Sequence, residues 1–493
     1  MKKSLILCVL LLILTACTAK QEVHDPHLFY QIFVGSFADS NGDGIGDLKG
    51  IEEKLDYLKD ELGVHSLWLT PIHPSPTYHK YDVTDYFAID PQFGTMSDFE
   101  SLISKAHEKD MNIIIDLVLN HSSNQHPWFQ KASQAMIQGK CDTTHYCDYY
   151  NFTDKAQVGY EKLTEGIYYE AVFWSGMPDL NLANDQVKQE IEAITAFWIE
   201  KGVDGFRLDA TSHYFANQTK ENTAFLSWFT KMAKAQKEDL HLVGEAWVPL
   251  STRLSLYESG MDSFFNFEFS QQDSEIIKKI NRNQGHQLAR LVAKNQANLQ
   301  AINPKARDSF FLSNHDQGRS AAYFGNDQAK QKFASTVLMF LPGDVYIYYG
   351  EEIGMLGSGI DENKRLPMLW GNYDQQAMTA RPQDADYQSY DLADVKAQLK
   401  DKDSLLNHYR NIISIRNQYP QLAHMQTEVL DFDNDAIYAL VFDDHVIIHN
   451  FAQEPQTVPV QGTIADRISG KSKIKNGVLS IEGYSSVIVA LNN

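Results

Sequence analysis

Asp209, Glu245 and Asp316 each close a short apolar run: V-D-G-F-R-L-D from Val203, H-L-V-G-E from His241 and F-F-L-S-N-H-D from Phe310. Such runs read as buried strands, and loop-like sequence follows each one. Acidic groups at strand ends, in a chain that alternates strand and helix, suggest an active site. A second constellation lies earlier, in D-S-N-G-D-G-I-G-D, which contains Asp39, Asn41, Asp43, Ile45 and Asp47. Side-chain oxygens at the first, third and fifth places, a glycine at the sixth and the Ile45 carbonyl at the seventh have the spacing that wraps a calcium ion. Gly50 stands where an EF-hand supplies its bidentate glutamate, so an ordinary EF-hand is excluded. A metal-free loop of Asx turns is the alternative.

The elements that must position these groups are strand-like runs at 28–34, 64–70, 111–119, 203–209, 241–245, 262–268, 310–316 and 344–350. Between them, apolar residues at three-to-four spacing predict helices over 48–62, 96–109, 185–201, 222–237 and 329–340. Eight alternating units predict an α/β chain, a (β/α)8 TIM barrel. After the third run comes a stretch rich in Tyr, His, Asn and Gln, far longer than a usual connection, which predicts an inserted domain. Beyond a helix at 404–416, short β runs at 436–442, 445–451 and 485–491 predict a C-terminal antiparallel β-domain. The expected division is barrel at 26–120, inserted domain at 121–180, barrel again at 181–420 and a β-sandwich at 421–493.

The chain has 493 residues, 43% of them hydrophobic, enough to bury a large core. With 43 basic against 64 acidic residues the net charge is -21, which argues against nucleic acid or an anionic membrane surface as partner. A monomer is expected. Lys2 and Lys3 precede an apolar stretch from Leu5 to Leu14, the pattern of a targeting segment. Leu14, Thr15, Ala16 and Cys17 resemble the lipobox of bacterial lipoproteins, which implies removal of residues 1–16 and acylation of Cys17. An ordinary secretory signal is the alternative, and either puts the mature protein outside the cytoplasm. The stretch is too short for a spanning helix of ~20 residues, so membrane contact is expected only through lipid on Cys17. Cys141 and Cys147 then remain, a pair suited to a disulfide in an oxidising compartment. Zinc, with His145 between them, is the rival and lacks a fourth ligand.

Four segments carry a family resemblance: Asp116 with Asn120 and His121 in D-L-V-L-N-H, Gly205 to Asp209, Gly244 with Glu245, and N-H-D from Asn314. In this order and on these strands they resemble the α-amylase family of glycoside hydrolases, from about His27 to the C-terminus. M-P-D-L-N from Met177 resembles a fifth motif, intermediate between the oligo-1,6-glucosidase and neopullulanase branches. The resemblance implies that Asp209 is a nucleophile, Glu245 the acid and base, and Asp316 a holder of the distorted sugar. It further implies that His79, Tyr81, His121 and His315 contact substrate, that Arg207 keeps the nucleophile ionised, and that Glu245 has a raised pKa.

The calcium loop also resembles one found in the oligo-1,6-glucosidase branch, and Asn120, Asp179 and His213 match part of a second calcium site seen in many amylases. Ala210 resembles α-1,4-acting members, where valine accompanies α-1,6 action. Ser212 replaces a common Lys while His213 remains, and together they bear on binding beyond the cut. The expectation is an enzyme cutting internal α-1,4 bonds of starch or maltodextrins. An exo-acting α-glucosidase or oligo-1,6-glucosidase is the alternative, supported by R-L-P-M-L-W from Arg365. A non-catalytic glycan-binding protein is the third class, a fate of members that have lost carboxylates, and this chain has lost none.

Overall fold

Eight short parallel strands pair edge to edge until the last meets the first, and the ring they form is a closed barrel. In chain order they are Leu28–Ile32, Ser66–Leu69, Asn112–Leu117, Gly205–Leu208, His241–Gly244, Ser263–Phe265, Arg307–Phe311 and Asp344–Tyr348. The computed structural model describes residues 27–216, 218–325, 327–371, 373–386 and 392–492. The targeting segment and Cys17 lie outside the described residues. No helix among the described residues is long and apolar enough to cross a membrane.

Side chains alternate across a strand, so every second residue points into the barrel. Phe29, Trp68, Ile114, Val243, Phe265, Phe311 and Tyr346 form one buried apolar layer there. Two residues further along, the same faces present Gln31, Asp116 and Glu245, and Arg207 pairs across from Asp116. The barrel interior is thus an apolar plug with a polar layer above it, at the C-terminal ends of the strands. Helices such as Met96–Glu108, closed by a Thr95–Asp98 capping box, and Asp185–Glu200, capped by Asn184, surround it.

The first and sixth strands stop short of their expected runs, at Ile32 and Phe265, and two further elements differ. The seventh strand ends at Phe311 rather than running to Asp316. The Asn314 side chain accepts a hydrogen bond from the Asp316 amide at 2.9 Å, an Asx turn that takes this segment out of the ladder. The helix expected over 48–62 is two pieces, Leu48–Glu53 and a π-helical Tyr57–Leu62. Between them Lys54 is pinned to Asp374 and lies over the Trp370 ring, and Gly63, at φ 88°, closes the second piece.

After the third strand the chain builds the helix Pro127–Gln138 and a three-stranded sheet of Phe152–Thr153, Tyr160–Thr164 and Ile167–Glu170. Cys141 and Cys147 are joined as a disulfide in this segment. The C-terminal part is a five-stranded and a three-stranded antiparallel sheet, with Ile437, Ala439, Val446, Ile448, Leu479 and Ile481 in a shared core.

Candidate active site

The fourth strand carries Arg207 into the polar layer with only 1% of its surface exposed. One guanidinium nitrogen lies 2.5 Å from Asp116 Oδ1 and 2.6 Å from Asp209 Oδ1, and the other lies 3.0 Å from Glu245 Oε2. The Ala210 amide donates to the same Glu245 oxygen at 3.0 Å. Asp209 and Glu245 follow directly on the fourth and fifth strands, whereas Asp316 reaches the site from the turn after the seventh. Arg365 holds Asp316 there at 2.9 Å, and His315 Nε2 lies 3.1 Å from it.

These carboxylates do not share one electrostatic state. Burial raises the pKa of Glu245 to about 7, with Asp209 and Asp316 adding to the shift against the pull of Arg207. Burial likewise carries Asp209 and Asp116 to about 6, despite Arg207. For Asp316 burial is outweighed by His315, Arg365 and Arg207, and its pKa falls below the ordinary value. The site therefore offers one carboxyl that keeps a proton near neutrality beside carboxylates that lose theirs first. Proton donation and nucleophilic attack can coexist there.

Around them, Tyr81 Oη bonds Asp116 at 3.2 Å and His315 Nε2 at 2.7 Å. His121 Nε2 is 3.2 Å from the Tyr81 carbonyl, and His79 Nδ1 accepts from the Tyr81 amide at 3.1 Å. His79, Tyr81, His121, Asp209, Glu245 and Asp316 border one cleft of about 380 Å³. Arg207 and His315 stand behind its wall. His213 packs on the Phe173 ring at 5.2 Å, with Ser212 at its Nδ1, and is not among the residues bordering the cleft.

Several residues of the site escaped the sequence reading as site members. Phe173 and Trp174, each 46% exposed, and Trp247, 49% exposed, supply aromatic surface to the cleft. Trp247 is backed by Phe267, stacked at 4.5 Å. Adjacent aromatics in an otherwise polar insertion were the available signal for the first two. Gln31, the one amide in the apolar first run, and Trp68, which donates to Asp116 at 3.0 Å, complete the layer beneath.

Residues 31–425 match the family model described as alpha amylase, catalytic domain. The chain belongs to the α-amylase family. It is 38% identical over 487 residues to Alpha-amylase 3 of Dictyoglomus thermophilum, covering 94% of this chain and 93% of that protein. It is 30% identical to the oligo-1,6-glucosidase of Parageobacillus thermoglucosidasius, covering 86% of this chain and 90% of the other. The solved structure of Eubacterium rectale Amy13B superposes with a TM-score of 0.91 at 38% identity, covering 96% of each chain. As a member of the α-amylase family the chain is a glycoside hydrolase.

The loop read as a calcium site folds on its own side chains. Asp39 accepts from the amides of Asn41, Gly42 and Gly44, Asn41 from Asp43, Asp43 from Ile45, and Asp47 from Gly50, at 2.7 to 3.0 Å. Its donor set is carboxylates, an amide oxygen and the Ile45 carbonyl, hard oxygens that suit calcium. Among the described residues no three His, Cys, Asp or Glu side chains form a metal-holding group, so the amide and carbonyl oxygens are needed to complete a shell. Of the second expected site, Asn120 donates to Asp179 at 3.1 Å, while Asn120 Oδ1 is buried without a hydrogen-bond partner.

Proposed function

We propose that the protein is an endo-acting α-amylase that cleaves internal α-1,4-glucosidic bonds of starch or maltodextrins with retention. The observation that carries this reading is one cleft holding Asp209, Glu245 and Asp316 beneath exposed aromatic rings. Asp209 attacks the anomeric carbon and forms a glycosyl ester as the bond to the leaving oxygen breaks. Glu245 gives that oxygen its proton, then takes one from the water that hydrolyses the ester. Asp316, kept ionised, balances the oxocarbenium-like charge. Tyr81 offers a ring face to the C–H side of a pyranose, while His79 and His121 serve hydroxyls and His213 belongs to the leaving-group side. His315, buried behind the wall rather than on substrate as expected, holds Tyr81 and Asp316.

Two features support the α-1,4 endo assignment. Ala210 borders the cleft with φ at 50°, a left-handed conformation in which the β-branched valine of the α-1,6 pattern is strained. Trp174 and Trp247 extend the aromatic surface beyond a single sugar. The exo-acting α-glucosidase or oligo-1,6-glucosidase reading is favoured instead by the D-S-N-G-D loop and the Arg365 segment. Products from starch and a defined maltooligosaccharide series decide between them. Endo action gives a mixture of oligosaccharides with early loss of iodine staining, released first as the α-anomer. Glucose as sole product from iodine-positive starch would overturn it.

In the same reading, Asp39, Asn41, Asp43, Asp47 and the Ile45 carbonyl hold Ca2+, which ties the loop after the first strand. A melting temperature that calcium restores after chelation in the wild type, but not in Asp43→Asn, is the expected result; no response to chelation sinks it. The mature protein is a monomeric extracytoplasmic lipoprotein anchored by Cys17. Loss of labelled palmitate in Cys17→Ser tests the anchor, and unchanged labelling refutes it.

A further inference from the structure

The polar layer of the barrel contains a chain of hydrogen bonds with only one consistent direction. Gln31, on the first strand and 1% exposed, places Nε2 at 2.8 Å from His315 Nδ1. On the far side of the ring, His315 Nε2 faces Tyr81 Oη at 2.7 Å and Asp316 Oδ2 at 3.1 Å. Tyr81 Oη in turn faces Asp116 Oδ2 at 3.2 Å. An amide nitrogen can only donate, so Nδ1 accepts and the single proton of a neutral imidazole sits on Nε2. That proton points at Tyr81 and Asp316, which leaves the tyrosine hydroxyl free to donate to Asp116.

The opposite arrangement fails at two places. With the Gln31 amide turned over, its oxygen would draw the imidazole proton to Nδ1. Nε2 would then present a lone pair to the Asp316 carboxylate, acceptor against acceptor. The Tyr81 hydroxyl would turn to Nε2 and abandon Asp116, a buried carboxylate that relies on Tyr81, Trp68 and Arg207.

We propose that Gln31 is a positioning residue that fixes the Nε2–H tautomer of His315 and so sets the hydrogen-bond direction toward both Asp316 and Asp116. It touches no substrate. Its action on the reaction passes through His315, and that part rests on the assignment of Asp316 as the group that balances sugar charge. The tautomer itself stands independently of any activity. The charged groups acting on the His315 ring are Asp316, Arg365, Arg207 and Asp361, with Tyr81 and Gln31 bonded to it and the Trp68 ring edge-on at 5.8 Å. Burial holds this histidine neutral down to about 3, so over the working pH range its tautomer, rather than its charge, is the variable.

Neutron diffraction from the deuterated full-length protein reads the tautomer without any substitution. Deuterium on His315 Nε2 and none on Nδ1 is expected; deuterium on Nδ1 overturns the proposal whatever the enzyme's substrate proves to be. The kinetic arm compares Gln31→Met, which removes the donor, with Gln31→Glu, which replaces it with an acceptor. Both are first checked for native melting behaviour. Gln31→Met is expected to lower kcat/KM about tenfold at every pH, the scale of losing one buried hydrogen bond. Gln31→Glu forces a proton onto Nδ1, so Nε2 keeps its own only while the Glu–His pair holds an extra proton. Its kcat/KM relative to wild type should therefore fall progressively as pH rises from about 5 to 8. A ratio independent of pH in Gln31→Glu overturns the proposal, because a packing role for Gln31 has no reason to titrate.

Discussion

Arg207 brings one positive charge to Asp116, Asp209 and Glu245, and burial sets which of them keeps a proton. The guanidinium is not enough to hold Asp209 at an ordinary carboxylate pKa, so this proposed nucleophile ionises at about 6 and Glu245 at about 7. Catalysis by the proposed route needs the first deprotonated and the second protonated. A narrow bell in kcat/KM is expected, rising near pH 6 and falling near pH 7, with both limbs belonging to the interacting pair. In Glu245→Gln the falling limb disappears and kcat drops by about 10²–10⁴-fold on substrates with poor leaving groups. A falling limb that survives the substitution would mean another group donates the proton. Ala210→Val tests the linkage argument at the neighbouring residue. A β-branched side chain at φ 50° costs roughly 1–3 kcal/mol of backbone strain next to the amide that bonds Glu245, so about tenfold or greater loss on α-1,4 substrates is expected from initial rates. Full activity would remove Ala210 from the specificity argument.

At the scale of elements, the barrel strands were legible because their apolar runs are short and bounded, and Asp209 and Glu245 were legible because they follow directly. Asp316 was found, but on the wrong structural footing. It belongs to a turn made by Asn314 rather than to a strand, and a polar side chain that bonds its own backbone leaves the hydrophobic pattern unchanged. Gln31 was missed because alternation shows which face a residue occupies and not what faces it from the seven other strands. Phe173 and Trp174 were missed because composition cannot distinguish an aromatic that fills a core from one that lines a cleft. Their segment carries its own constraint: a Cβ on Gly176 would lie 2.2 Å from the Trp174 ring. Gly176→Ala should therefore displace the indole and raise KM for maltooligosaccharides severalfold, while kcat stays within about twofold and the melting temperature is nearly unchanged. An unchanged KM would show that Trp174 contributes nothing to binding.

For the molecule as a whole, two sets of buried groups pull its pH stability in opposite directions. His73, His121, His315 and His449 are held neutral to about 3, and His126 and His408 to about 4, all chiefly by burial. Unfolding lets them take up protons at about 6.5, so the stability they contribute is present above that pH and is lost as pH falls through the folded values. Burial instead raises Asp116 and Asp209 to about 6, Glu245 and Glu351 to about 7 and Asp179 to about 8. These bind protons in the native state that the unfolded chain has released by about pH 4, and their contribution is lost as pH rises through the folded values. Between about 4.5 and 6 the sets oppose each other and the melting temperature should form a plateau. Above about 6.5 only the carboxylates titrate, and stability should fall toward pH 8. Glu351 isolates this limb, since it is fully buried between Ser313 and Tyr409 and lies outside the cleft. Its shift corresponds to on the order of 3 kcal/mol at alkaline pH. Gln at this position keeps an acceptor and removes the charge, so Glu351→Gln should raise the melting temperature at pH 8 and leave it nearly unchanged at pH 5, measured by calorimetry at fixed calcium. Equal effects at both pH values would mean that the carboxyl is not the titrating group, and the alkaline loss of stability would then fall to Asp179 and the carboxyls of the site.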